Sequence, residues 1–300
     1  MRVANRTIFD SIKINLDKAT EAMAEANMVV SSGKKMNRLS DDPVGLVTVL
    51  DLRSSLANIE QLQKNINTGR SWLNMAESAM SQIEDVLSQA KALTVEMSSA
   101  NRSSDDRYQA ATVVDGYLRQ VFSLANTEVA GRYIFAGTET SAQPFAFDDD
   151  NNPTLVTYAG NDDPFAIKIG KDTNVDVGRN GEQIFGANWD ADNIFKTLID
   201  LKTALQGNDV QGIQNAMQTS DDHLEKIRNL VSDTAGKVIR LDVKEKIIRD
   251  LNLTYTERMS KLEDADIAAA IVELEAKELA YQAALNSSAK VMNLSLLNYL

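Results

Sequence analysis

At 300 residues, with no cysteine, one histidine and four prolines, the chain is long enough for two or three folded units yet poor in the side chains that metal sites and nucleophilic catalysis use most. Forty-three acidic residues against 31 basic ones leave a net charge of −12, which repels nucleic acid and anionic lipid over most of the surface. No stretch approaches the ~18 consecutive apolar residues of a membrane helix, and the first residues lack the apolar core of a cleaved secretory signal. From the N-terminus, Ile8, Ile12, Leu16, Ala19, Met23 and Val30 repeat at helical spacing, which predicts an amphipathic helix. Ser31-Ser-Gly-Lys-Lys35 is basic and carries a glycine, but it follows no predicted strand and so does not read as a phosphate loop.

Ser40-Asp-Asp-Pro43 predicts a helix start, because an Asp carboxylate accepts free first-turn amides and proline at N1 loses no hydrogen bond. Behind it, Ile59, Leu62, Ile66, Gly69, Leu73, Ala76, Met80, Ile83, Leu87, Ala90, Thr94 and Met97 step by alternating threes and fours, the 3.5-residue period of lengthwise helix pairing. Residues 44–100 as one helix span roughly 85 Å at ~1.5 Å per residue. Ser104-Asp-Asp106 caps the next helix, expected to end near Gly131.

Three of the four prolines, at 144, 153 and 164, and seven of the fourteen glycines, from Gly131 to Gly186, fall in the stretch that follows, which marks 132–190 as a turn-rich insert. Phe165-Ala-Ile-Lys-Ile169 alternates with period two, as do Val175 and Val177, and Asn180-Gly181 signals a tight hairpin. The insert reads as a small β-rich domain, and its net charge of −6 suggests a face turned to solvent. Asp192 or Asn193 starts a short helix through Leu201. Another is expected from Ile213 to Leu230, and a separate long one carries Val238, Leu241, Ile248, Leu251, Tyr255 and Leu262. Asp264 or Asp266 caps a last helix, with Ile267, Ile271, Leu274, Tyr281, Leu285 and Met292 at heptad steps. The ends carry opposite net charge, +3 over 1–40 and −2 over 266–300, which favours their pairing with each other. One helix pair leaves apolar surface uncovered, and this invites other subunits. The fold class is therefore mainly α: an elongated helical bundle with paired terminal coiled-coil helices and a β-rich inserted domain. Its expected parts are 1–40 plus 265–300, 41–131 plus 191–264, and 132–190.

Candidate chemistry is sparse. Asp148, Asp150 and Asn152 resemble the start of a calcium loop, but Pro153 stands where that loop needs glycine and Ala159 where it needs glutamate, so a solvated turn is the expectation. His223 follows Asp221-Asp222 and reads as a surface histidine. The paired aspartates sit where caps and turns want them. Catalytic, cofactor-binding and metal residues are all expected to be absent.

Ser31-Ser-Gly-Lys-Lys-Met-Asn-Arg-Leu-Ser-Asp-Asp-Pro-Val-Gly45 resembles the N-terminal signature of the flagellin superfamily, in the form used by its hook-associated members. Gly131-Arg-Tyr-Ile-Phe-Ala-Gly-Thr-Glu-Thr140 with Pro144-Phe145 is similar to the entry into that family's β domain. Ala265-Asp-Ile-Ala-Ala-Ala-Ile-Val-Glu-Leu274 and Leu294-Ser-Leu-Leu-Asn-Tyr-Leu300 are similar to its C-terminal helix.

The resemblance implies a structural, non-enzymatic protein of the bacterial flagellum, exported unfolded by the type III route without a cleaved signal and assembled outside the cell. It implies a junction between the hook side and the flagellin filament. The partners would be copies of the chain in a ring-like helical assembly, a hook-associated protein on one side, flagellin on the other, and an export chaperone on the C-terminal helix. Nucleic acid and membrane insertion have no place in it. Ile8, Ile12, Leu16, Ile267, Ile271, Leu274, Leu285, Met292 and Leu300 are the residues expected at the subunit interface. Two alternatives stand beside it: a filament flagellin, and an intracellular coiled-coil scaffold.

Overall fold

A computed structural model describes the backbone of residues 2–38, 40–186 and 193–297, and the side chains among them at residue 7 and from residue 9 to 290. The chain is mainly α. Helices α1 (Arg2–Ser32), α2 (Pro43–Met97) and α3 (Ser104–Ala125) come first, and α4 (Gly181–Phe185), α5 (Ile194–Gln206), α6 (Val210–Glu263) and α7 (Ile267–Leu297) last. Between them lie three antiparallel strand pairs: β1 (Glu128–Val129) with β2 (Arg132–Tyr133), β3 (Phe145–Phe147) with β4 (Val156–Tyr158), and β5 (Ala166–Lys168) with β6 (Asn174–Asp176). The chain divides into two compact units, Met1–Ile59 with Asp250–Leu300, and Glu60–Arg249.

All twelve positions of the 3.5-residue stripe on α2 are buried. Ile66, Met80, Ile83, Leu87 and Ala90 are closed off completely, and full burial of the four larger side chains is worth about 1.5–3 kcal/mol each. In the second unit α3 packs against α5, and Val114, Leu118 and Val121 meet a helix whose Ile194, Phe195, Leu198 and Leu201 are equally sealed. The α3 cap lies one residue earlier than expected. Ser103 accepts from the Asp106 amide while Asp106 accepts from the Ser103 amide, a reciprocal capping box. Buried Arg107 donates to the carbonyls of Met97 and Ser99, closing the C-terminal end of α2.

The insert is rooted by rings. Phe145 contacts Phe185, Phe195 and Tyr158 at centroid distances of 4.9, 5.5 and 5.1 Å, and Phe185 stacks on Phe195 of α5 at 5.0 Å. The β5–β6 hairpin lies over α2, where Phe165 meets Trp72 at 5.0 Å. A Cβ on Gly69 of α2 would overlap Ile167 Cδ1 and stand 3.1 Å from Val177 Cγ1. That close approach is why a glycine interrupts an apolar stripe. Lys202 of α5 donates to Asp115 of α3 at 2.8 Å and to Asn152 at 2.9 Å, tying helix, helix and insert turn together.

Four further expectations differ from the structure. The region 210–263 is one helix, not two, because Gly236 is exposed with nothing near its missing Cβ, and a helical glycine of that kind costs only ~1 kcal/mol. Helix α3 stops at Ala125 rather than near Gly131, since the Asn126 side chain turns away to bracket both backbone groups of Phe145 at 3.1 Å. Asn180-Gly181 makes no hairpin. Asn180 is the N-cap of α4, accepting from the Gln183 amide, and a Cβ on Gly181 would meet Phe145 Cζ at 2.6 Å. His223 is not a surface residue: it is 5% exposed, with Nε2 3.1 Å from Thr197 Oγ1. Of the two candidate caps for α5, Asn193 is used, and Asp192 lies outside the described residues.

Candidate assembly surface

The terminal helices α1 and α7 pack along each other. On α1 the less exposed positions are Ile12, Leu16, Ala19, Ala22, Met23, Ala26, Met28, Val29 and Val30, the described part of the sequence's heptad stripe widened by Ala22, Ala26, Met28 and Val29. On α7 they are Ala270, Leu274, Lys277, Tyr281, Ala284 and Ser288, again at steps of four and three. Ala22, Ala26 and Ala270 line a cleft between the two helices, flanked by Glu25, Glu273 and Lys277.

This seam consumes only part of what α7 offers. Ile267, Ile271 and Leu285 sit on its flank, each more than two-fifths exposed, while Val272 and Leu279 are 67% and 71% exposed. A helix apolar on several faces belongs in an interior, and within this chain α7 is covered on one face. Leu274 and Ile12 thus lie at the intrachain seam, and Ile267, Ile271 and Leu285 beside it. The side chains of Ile8 and Met292, and Leu300 altogether, lie outside the described residues. Val272 and Leu279 escaped the heptad reading, although the run Ile267-Ala-Ala-Ala-Ile-Val272 already marks a helix without a polar face.

Side-chain-to-backbone hydrogen bonds shape the described part of the loop between α1 and α2. The Asp42 carboxylate accepts from the Gly45 amide at 2.9 Å, and Pro43 opens α2. Asp41 accepts the backbone amides of Arg38 and Asn37 at 2.7 and 3.0 Å, and these bonds hold its carboxyl below the usual carboxylate range. Leu39 is outside the described residues. In the insert, the turn read against calcium is closed by Asp148 itself. It accepts from the Thr154 hydroxyl and from the amides of Leu155 and Thr154, which hold its carboxyl far below the ordinary value. Among the described residues no group of three His, Asp or Glu side chains is placed to share a metal ion, and no helix is long and apolar enough to cross a membrane.

Residues 5–140 match the model of the bacterial flagellin N-terminal helical region. Across essentially the whole length, the chain is 24% identical to flagellar hook-associated protein 3 of Salmonella typhimurium, covering 99% of this chain and 98% of that one. The likeness is to the flagellin superfamily. Solved structures agree with this placement. Bacillus cereus FlgL superposes with a TM-score of 0.58 at 26% identity, over 69% of this chain and 97% of its own. The flagellar junction protein FlgL from Legionella pneumophila, at 14% identity, shares the fold with a TM-score of 0.59 over 72% of this chain and 100% of its own. A likeness of similar extent reaches a flagellin, that of Listeria innocua, at 23% identity over 91% of this chain and 90% of that one.

Proposed function

We propose that this chain is the structural junction subunit of a bacterial flagellum, joining the hook side to the flagellin filament by packing of its terminal helices. The observation that carries the reading is α7. Its apolar residues cover several faces, one face is met by α1, and Val272 and Leu279 remain open, so the helix is completed by neighbouring copies. Ile8, Ile12, Leu16, Ile267, Ile271, Leu274, Leu285, Met292 and Leu300 pack in that interface. Residues 1–40 with 265–300 form the assembly part, 41–131 with 191–264 the helical body, and 132–190 the outward β-rich part. The subunits form a ring-like helical assembly, with a hook-associated protein below and flagellin above. Before assembly a chaperone guards α7, and export takes place without a cleaved signal. No reaction is assigned to the chain.

Deletion of the gene tests the reading. The expected outcome is cells that keep hooks, lack filaments and shed monomeric flagellin into the medium, with recovery on complementation. Filaments retained at reduced length would instead favour the alternative, a filament flagellin. A chain confined to the cytoplasm would favour an intracellular scaffold.

A further inference from the structure

Heptad seams do not fix their own register well when the residues facing each other are small, because a slide of one heptad restores a similar pattern. Much of the α1–α7 seam is of this kind: among larger side chains, Ala19 and Ala26 stand on one side, and Ala270, Ala284 and Ser288 on the other. A more specific set of contacts sits at its base. Lys34 pairs with Asp264 as an isolated antiparallel bridge, with the Lys35 amide donating to the Glu263 carbonyl at 2.8 Å and the Ala265 amide to the Gly33 carbonyl at 2.9 Å. The Glu263 side chain, 8% exposed, accepts from Lys34 Nζ at 2.5 Å and from the Arg53 guanidinium of α2. Lys35 Nζ caps the α6 carbonyl of Lys261 at 2.7 Å. Gly33 turns the chain out of α1 at φ +71°, a left-handed conformation that glycine adopts without strain, and its missing Cβ would face Ile267 at 3.8 Å.

We infer that this latch, with Glu263 as its positioning residue, sets the register in which the terminal helices pair. The residues that follow α1 are clipped to the end of α6 and the link into α7 by two backbone bonds, and the buried carboxylate holds the clip by drawing one cation from the α1–α2 loop and one from α2. Loss of its charge leaves Lys34 and Arg53 facing each other without a counter-ion. The seam alone would then choose among registers.

The full chain has no cysteine, so Lys18→Cys with Glu278→Cys, both at exposed positions, can carry two spin labels without background. The expected result is one narrow inter-label distance in the parent. In Glu263→Gln a broadened distribution is expected, with a component at longer distance, since a slide of one heptad carries one label about 10 Å along the helix axis past the other. Lys34→Gln, which leaves Glu263 paired with Arg53, should broaden it less and serves if the first variant fails to fold. Hydrogen exchange at the Lys35 and Ala265 amides should quicken about tenfold or more in Glu263→Gln, while amides of the α3–α5 core hold their rates. A parent distribution that is already broad, or one unchanged in both variants, would overturn the inference.

Discussion

The reading of α7 makes a quantitative demand on two side chains, Val272 and Leu279. Full burial of a Val or Leu side chain is worth about 1.5–3 kcal/mol. Being 67% and 71% exposed, each keeps roughly two-thirds of that gain, about 1–2 kcal/mol, unused in the single chain. The double variant Val272→Ser/Leu279→Ser should therefore leave thermal unfolding of the free chain within about 0.5 kcal/mol of the parent. Its assembly should weaken by about 2–4 kcal/mol, a 30- to 1,000-fold rise in the concentration needed. Calorimetry of the free chain and sedimentation of assembled material across a dilution series measure the two quantities separately. A large fall in Tm with unchanged assembly would refute the reasoning, because it would place these side chains inside the subunit.

Two further perturbations probe how the insert and the helical body are held. Burial raises the Asp115 carboxyl, but the hydrogen bonds from Lys202 and Arg119 outweigh it and leave the value lowered. Its contribution is thus present above the ordinary Asp value of ~3.9 and is lost as pH falls through the folded value. Asp115→Asn should cost about 2 kcal/mol near pH 7, less than a fully buried pair because Asn152 still accepts from Lys202, and the deficit measured by urea unfolding should shrink as pH drops below 4. A deficit independent of pH would show that the charge contributes nothing. Gly69→Ala gains ~1 kcal/mol of helix propensity but pushes on Ile167 Cδ1, for which overpacking costs about 1–3 kcal/mol. Alone it should be neutral to destabilising, and in an Ile167→Val background, where that atom is gone and Val177 Cγ1 at 3.1 Å is the tightest remaining contact, the cost should shrink. Additivity of the two changes would contradict the packing described.

The α2 stripe was legible because a 3.5-residue period repeated over twelve positions is a local signal whose every member lies against the same core. The cap at Asp42 was legible for the same reason, since it acts on an amide three residues away, while at α3 the reading fell one residue late, on Ser104 instead of Ser103. Misreadings arose where one residue type serves two purposes. A short amide side chain followed by glycine suits both a tight turn and a helix N-cap, and at Asn180 it was ring packing around Gly181 that decided between them. His223 was illegible alone, since its burial depends on Thr197 of a different helix. Glu263 was hidden likewise, one of 43 acidic residues whose partners lie more than 200 positions earlier in the chain.

The heptad on α7 shows a different limit. Leu274 and Tyr281 belong both to the stripe read from sequence and to the observed seam, but Ile267, Ile271 and Leu285 fall on its flank, while Ala270 and Ala284 take the inner places. Periodicity identifies a face only when the other faces are polar. Where a helix is apolar nearly all round, the sequence states that several surfaces will be covered without stating which comes first. The α1 helix, with a single stripe, can satisfy one of them. Small residues on that side let α1 approach closely and leave the bulky aliphatic side chains for a later partner, so the same composition that blurs the intrachain contact is what an assembling helix requires.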